Sequence, residues 1–194
     1  MNSDIIYVFV YSYLLGSIPF GLIITKIFLG KDIRKVGSGN IGTTNVLRTG
    51  KKSLAAATLL FDVLKGYFSI LITYNYFNDL IYLSALICFI GHIFPIWLKF
   101  KGGKGVATYL GILFSINLYL GLVFIIAWFV TFAISRFSSL SSLIASIAIP
   151  FYLLILTQFD QVIFFTIMFV LIFFTHRENI KRLKNKEETK TKIY

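Results

Sequence analysis

Apolar residues run through this chain in long, nearly unbroken blocks separated by short polar stretches, with neither a sustained two-residue alternation nor an amphipathic helical stripe. A bilayer core of about 30 Å takes roughly 20 helical residues. The blocks therefore predict membrane-spanning helices near 5–28, 53–76, 80–98, 106–120, 121–135, 140–158 and 161–175. Leu110–Ser135 is almost continuous, and it divides near Asn117–Gly121 because only a turn there keeps both flanking charged loops on one side. A six-span arrangement is the alternative. The predicted fold is all-α: a polytopic integral membrane protein of seven transmembrane helices forming one domain over 1–194, without visible internal repeats. The N-terminal apolar run lacks a preceding Lys or Arg and is too long for a cleaved signal, so it reads as a first span that stays.

Composition sharpens this picture. The chain has 194 residues, 57% hydrophobic, 18% aromatic and only 14% charged, where soluble domains carry about 25% charged residues. Its mean hydropathy is +0.82. A large soluble domain is excluded. The net charge of +11 would suggest nucleic acid in a soluble protein, but apolar spans separate the charges into blocks, which fits anionic lipid or a phosphorylated substrate and no nucleic acid. Loops 29–52 and 99–105, Arg136 and the tail from Arg177 hold nearly all the Lys and Arg, while the turns Asn75–Asp79 and Gln158–Gln161 hold none. Under the positive-inside rule the N-terminus is expected outside and the C-terminus in the cytoplasm. The Lys-rich stretch Lys181–Lys192 is expected to be frayed and solvated, resting at most on lipid headgroups. The single cysteine, Cys88, rules out an intrachain disulfide and reads as a small buried hydrophobe.

Eight of the 14 glycines lie in the two long basic loops: Gly30, Gly37, Gly39, Gly42, Gly50, Gly102, Gly103 and Gly105. Glycine lets backbone N–H groups turn inward around an anion, and Lys or Arg adds charge to the same oxygens. The first loop reads Val36-Gly37-Ser38-Gly39-Asn40-Ile41-Gly42-Thr43-Thr44-Asn45-Val46-Leu47-Arg48. Gly37 to Gly42 formally matches a dinucleotide fingerprint, but no strand or βαβ unit surrounds it, and that reading fails. Ser38, Asn40, Thr43, Thr44 and Asn45 are neutral hydrogen bonders beside Arg48, whose fork can hold a phosphate; a polar loop whose arginine only marks the cytoplasmic side fits as well. The second loop, Lys101-Gly102-Gly103-Lys104-Gly105-Val106-Ala107-Thr108, runs into a span, so helix-start N–H groups and Lys104 offer an anion site. Gly105 stands where a Walker A loop needs Ser or Thr, which argues against nucleotide hydrolysis.

Other polar groups in the spans are few. His92 reads either as a packed hydrogen bonder or as part of a site, and the helix-spaced set His176, Asn179 and Arg182 either as groups aimed at one ligand or as an ordinary helix-end charge cluster. Asp62 and Lys65, at i and i+3, should neutralise one another inside the membrane or serve the site. Ser138, Ser139, Ser141 and Ser142 open the sixth span as cap or packing hydroxyls. Two isolated histidines give no metal site.

Taken in order, Gly16–Gly21, Gly37–Arg48, Asp62–Gly66, Gly91–Pro95, Lys101–Thr108, Arg136–Ser142 and His176–Leu183 resemble the bacterial acyl-phosphate:glycerol-3-phosphate acyltransferases over nearly the whole chain. Thr43 replaces a common alanine of that pattern, a mild departure. The resemblance implies a seven-helix enzyme of the bacterial inner membrane. It would acylate the 1-hydroxyl of glycerol 3-phosphate from acyl phosphate, giving lysophosphatidic acid and phosphate at the start of phospholipid synthesis. It would need no cofactor and no Coenzyme A, and would bind membrane lipid and a soluble acyl-phosphate-producing enzyme. It implies catalytic roles for Ser38, Arg48, Lys104, His176 and Asn179. Substrate binding would fall to Gly37, Gly39, Asn40, Gly42, Thr44, Asn45, Gly102, Gly103, Gly105 and a serine placed at Ser142, with Ser139 as the alternative register. The His-x-x-x-x-Asp of thioester-using acyltransferases is absent after both histidines. The competing class is a transporter or flippase for a phosphorylated solute or lipid, but transporters place binding groups near the bilayer midplane, and here charge and glycine collect at one interface.

Overall fold

The computed structural model describes residues 3–191, and every regular element among them is helical. Lipid offers no hydrogen bonds to an exposed backbone, so apolar runs of this length must satisfy their N–H and C=O groups internally. The helices are α1 (Ser3–Ser17), α2 (Phe20–Leu29), α3 (Thr43–Leu47), α4 (Lys52–Tyr76), α5 (Ile81–Ile93), α6 (Val106–Ile116), α7 (Leu118–Ser135), α8 (Ser138–Ile155), α9 (Phe159–Thr175) and α10 (Arg177–Lys184). Three short 3-10 turns, Ile33–Lys35, Asn78–Leu80 and Ile96–Leu98, sit in the connections. The chain forms two compact units, dividing between Ile116 and Asn117.

In the first unit α1 and α2 form one membrane-length segment broken at Ile18-Pro19. Proline removes a donor and pushes the residue before it out of the helical region, so carbonyls on the preceding turn lose their partners. Two side chains replace them: Trp97 Nε1 donates to Ser17 O at 3.0 Å and Lys65 Nζ to Ile18 O at 2.8 Å. α1 packs on α5 and α4 on α6 through glycine. A Cβ at Gly16 would strike the Cys88 carbonyl and one at Gly91 the Tyr13 carbonyl; Gly66 and Gly111 play the same reciprocal roles against Thr108 and Val63. Small residues let helix backbones approach closely where lipid gives no hydrophobic drive. Buried hydroxyls then bond between helices, Ser12 to Ser84 at 2.9 Å and Ser84 to Ser69 at 3.0 Å.

Within the second unit α7 packs on α8 and α8 on α9. α9 and α10 are bent by 63° across His176.

Among the described residues five segments are long and apolar enough to cross a membrane, or six when the bent pair α9 and α10 is taken as one. The expected turn inside Leu110–Ser135 is present at Asn117, whose side chain caps α7 by accepting from Tyr119 N at 2.8 Å. The expected span 106–120, however, is a helix of 11 residues, about 16 Å long and roughly half the hydrocarbon thickness. A second correction concerns the tail. Helix α10 is ordered, Glu188 accepts from three side chains and Thr191 N donates to Arg136 O, so the chain beyond Arg177 folds back instead of fraying. Lys192, the end of the Lys-rich stretch, lies outside the described residues.

Candidate active site

The first loop is organised around Asn45. This side chain is 2% exposed, and its Nδ2 donates to the carbonyls of Ile33, Val36 and Asn40 at 3.1, 2.9 and 2.8 Å, while Oδ1 accepts from Ser38 N at 3.0 Å. Asn45, expected among the substrate-binding residues, is thus tied into the loop that presents its neighbours. Asn40 is used similarly, its Oδ1 accepting from Gly42 N at 2.9 Å. Gly37 and Gly39 have φ of 56° and 71°, the left-handed region that side chains resist. A Cβ on Gly37 would meet Asn45 Oδ1 and, at 3.1 Å, Arg48 Cδ, so the Arg48 side chain lies across Gly37. Ser38 and Arg48 are thereby brought to the exposed edge of the loop. Thr44 sits in the first turn of α3 behind Gly42. Arg34, the other nearby arginine, is engaged by Asp32 at 2.6 Å, and hydrogen bonds from Arg34 hold the Asp32 carboxyl well below the usual range.

The second loop closes onto the end of α5. Gly102 N donates to Ile93 O and Gly103 N to His92 O, each at 3.1 Å, which satisfies carbonyls that the last turn of a helix leaves open. Gly102 and Gly103 were expected to aim these N–H groups at an anion, and the structure gives the groups to α5 instead. Side chains at the three loop glycines are barred by packing. A Cβ at Gly102 would strike the His92 carbonyl, at Gly103 the His92 ring, and at Gly105, where φ is 85°, the Phe89 ring. Lys104 is half-buried between two buried glycines and stands directly before the first turn of α6. Leading N–H groups of a helix have no preceding turn to bond, so the start of α6 is electropositive. Leu98, just ahead of this loop, packs in one apolar cluster with Ile33, Ile41 and Val46 of the first loop. The two loops are thus held by a common core.

In the second unit His176 is 2% exposed and its Nδ1 bonds Ile172 O at 2.8 Å. A carbonyl only accepts, so Nδ1 donates to it and Nε2 is the ring nitrogen left to face a substrate proton. Asn179 Nδ2 donates to Glu188 Oε1 at 2.7 Å, Ser139 Oγ to the same oxygen at 2.9 Å, and Arg182 Nε to Oε2 at 2.7 Å. Burial pushes the Glu188 carboxyl up, but the hydrogen bonds from Arg182, Asn179 and Ser139 outweigh it and hold the group below its ordinary value. Ser142 is engaged differently, donating to Ser138 O at 2.9 Å and accepting from Trp128 Nε1 at 3.3 Å across α7 and α8. Of the two serines considered, Ser139 shares Glu188 with Asn179, while Ser142 bonds within α8 and to Trp128 of α7.

Glu188 was not singled out in the sequence. Its signal is weak, one of two adjacent acids in a lysine-rich tail. Trp97 was also missed, since nothing local reveals that an interfacial indole reaches a broken helix eighty residues earlier.

A family model described as glycerol-3-phosphate acyltransferase matches residues 6–186. A glycerol-3-phosphate acyltransferase of Pelagibacter ubique is 67% identical over 184 residues, covering 94% of this chain and 95% of its own length. One from Brucella anthropi is 50% identical and covers 98% of this chain and 94% of its own. Among solved structures, the glycerol 3-phosphate form of PlsY, an integral membrane glycerol 3-phosphate acyltransferase, superposes with a TM-score of 0.91 at 35% identity, covering 97% of this chain and 96% of that one. Its lysophosphatidic acid form gives 0.89 at 33% identity, covering 97% and 95%.

Proposed function

The chain belongs to the glycerol-3-phosphate acyltransferase family, and from that premise we propose how its residues carry the reaction. It is a multi-pass membrane enzyme that acylates glycerol 3-phosphate to lysophosphatidic acid. The donor we assign is an acyl phosphate. This mixed anhydride has phosphate as its leaving group, so the 1-hydroxyl oxygen attacks the acyl carbon, the carbon–oxygen bond to phosphate breaks, and no covalent acyl-enzyme is required.

Arg48 and Lys104 neutralise phosphate charge, and Ser38 and Asn179 orient the acceptor hydroxyl or the developing oxyanion. The hydroxyl proton passes to a phosphate oxygen of the substrate, with His176 the alternative acceptor through Nε2. The observation that supports this reading best is the first loop, where Asn45 ties down the backbone so that Arg48 and Ser38 reach the exposed edge together.

The membrane is the bacterial inner membrane. The chain crosses it seven times, α6 counting as one crossing, with the N-terminus outside and the reactive loops, the tail and the docking face for a soluble acyl-phosphate-producing enzyme in the cytoplasm. The asymmetry of Lys and Arg among the loops supports this orientation.

The test uses purified protein in detergent with labelled glycerol 3-phosphate and either palmitoyl phosphate or palmitoyl-Coenzyme A, and measures lysophosphatidic acid. Product from palmitoyl phosphate alone is expected. Product from the thioester alone would overturn the donor assignment, and no product from either in folded protein would overturn the enzyme reading.

A further inference from the structure

The most concentrated charge inside the first unit lies away from the residues assigned to the substrate. Lys65 Nζ and Asp62 Oδ1 are 2.8 Å apart, with side chains 2% and 3% exposed, and His92 Nδ1 lies 3.8 Å from the same carboxylate oxygen. Ionised groups at such depth are costly to keep, so their retention calls for a use. His92 Nδ1 makes no hydrogen bond, so Asp62 faces that edge of the ring at 3.8 Å and the ring is fixed by packing. Lys65 also donates to Ile18 O at the break between α1 and α2.

The other edge of the His92 ring faces the second loop. All three atoms nearest to a Cβ built on Gly103 belong to that imidazole. The His92 carbonyl accepts from Gly103 N, and Gly102 N bonds the next carbonyl, of Ile93. Residue 103 is therefore gripped twice by His92, through its backbone and through its ring, and Lys104 follows immediately. A shift of the ring moves the backbone from which Lys104 projects.

We propose that Asp62, Lys65 and His92 form a buried positioning device that fixes the second loop through contact of the His92 ring with Gly103, and so sets where Lys104 meets the phosphate of glycerol 3-phosphate. None of the three touches the substrate. The proposal rests on the assignment of Lys104 to phosphate made above. Asp62 balances the charge of Lys65 and faces His92, so the pair ties the loop to both α4 and the broken first segment.

The test is a double-mutant cycle on purified enzyme with glycerol 3-phosphate and palmitoyl phosphate, with folding monitored by thermal melting. Gly103→Ala alone is expected to lower kcat/KM about 100-fold, the scale of a 1 Å misplacement, by raising KM for glycerol 3-phosphate while KM for palmitoyl phosphate stays within about 2-fold. In the His92→Ala background the space is open, and the same Gly103→Ala change is expected to cost less than about 5-fold. His92→Asn, which keeps a polar atom towards Asp62 but lacks the far edge of the ring, serves as the second background. Equal losses in all backgrounds, or an unchanged KM for glycerol 3-phosphate in folded Gly103→Ala, would overturn the proposal. Lys104→Ala separates this from the parent reading: full activity there removes the phosphate assignment itself, whereas loss of activity without coupling removes only the positioning role.

Discussion

Thr43 Oγ1 is buried beside the Asn45 hub without a hydrogen-bond partner, at the one position where the first loop departs from the alanine common in its pattern. An unsatisfied buried hydroxyl costs about 1–3 kcal/mol, so Thr43→Ala should raise the melting temperature of the detergent-solubilised protein. A lowered melting temperature would show that the hydroxyl is satisfied in the working protein. Two residues on, Asn45 makes the opposite point: an amide that meets three carbonyls and one N–H was legible as a polar loop residue, yet not as the loop's organiser. Its partners lie between five and twelve positions away, and only the folded turn at Gly37 and Gly39 assembles them. His176 gives the residue-scale prediction for catalysis. With the proton going to substrate phosphate, His176→Ala should slow turnover by less than the 10²–10⁴-fold typical of a lost general base. Complete loss at saturating substrates, in protein with an unchanged melt, would make Nε2 the acceptor.

Helix α10 shows what a single element adds. Read as a sequence, the segment from Arg177 is a basic tail, since its charges fit a solvated stretch as well as an ordered helix. Order comes from Glu188, which collects Asn179, Arg182 and Ser139 on two oxygens and returns the chain towards α8. Most of the apolar runs were readable because lipid demands long apolar helices, and the expected ends agree with the helices to within a few residues at 52, 76, 135 and 175, whereas 106–120 is shorter than a span. Pro19 marks a break within the first apolar run, but the side chains that cover its freed carbonyls, Trp97 and Lys65, lie 80 and 47 residues away and are not legible locally. Because the folded Glu188 carboxyl titrates below its ordinary value of 4.5, its contribution is fully present above that pH and is lost as pH falls through the lower folded value. Glu188→Gln should therefore melt below the parent protein at neutral pH, and the difference should narrow as pH falls below 4.5 and through the lower folded value. A difference that persists unchanged at low pH would mean that Glu188 acts by shape alone.

At the scale of the whole molecule the proposed topology turns on the short helix α6. Eleven residues reach only about 16 Å, so length alone does not establish a crossing. The distribution of basic residues is what supports the proposed crossing. Were α6 to stay on the cytoplasmic side, Asn117 would be cytoplasmic, Arg136 and the basic tail would be carried outside, and Gln158–Gln161, without a basic residue, would turn inward. That arrangement inverts the positive-inside rule at each of these loops, whereas a crossing at α6 satisfies all of them. Cys88, the single cysteine, is buried, so Cys88→Ser provides a background for site-directed labelling. In intact cells a membrane-impermeant maleimide should react with single cysteines introduced at the exposed positions Asp79, Asn117 and Gln158. Cysteines at Lys51, Lys101 and Lys184 should react only after the membrane is opened, because these positions lie on the basic side. Labelling of Lys184→Cys in intact cells together with protection of Gln158→Cys would mean that α6 turns back without crossing. The enzyme would then carry its glycine-rich loops and its His176 segment on opposite faces of the membrane, and assigning Arg48, Lys104 and His176 to one reaction would fail with the topology.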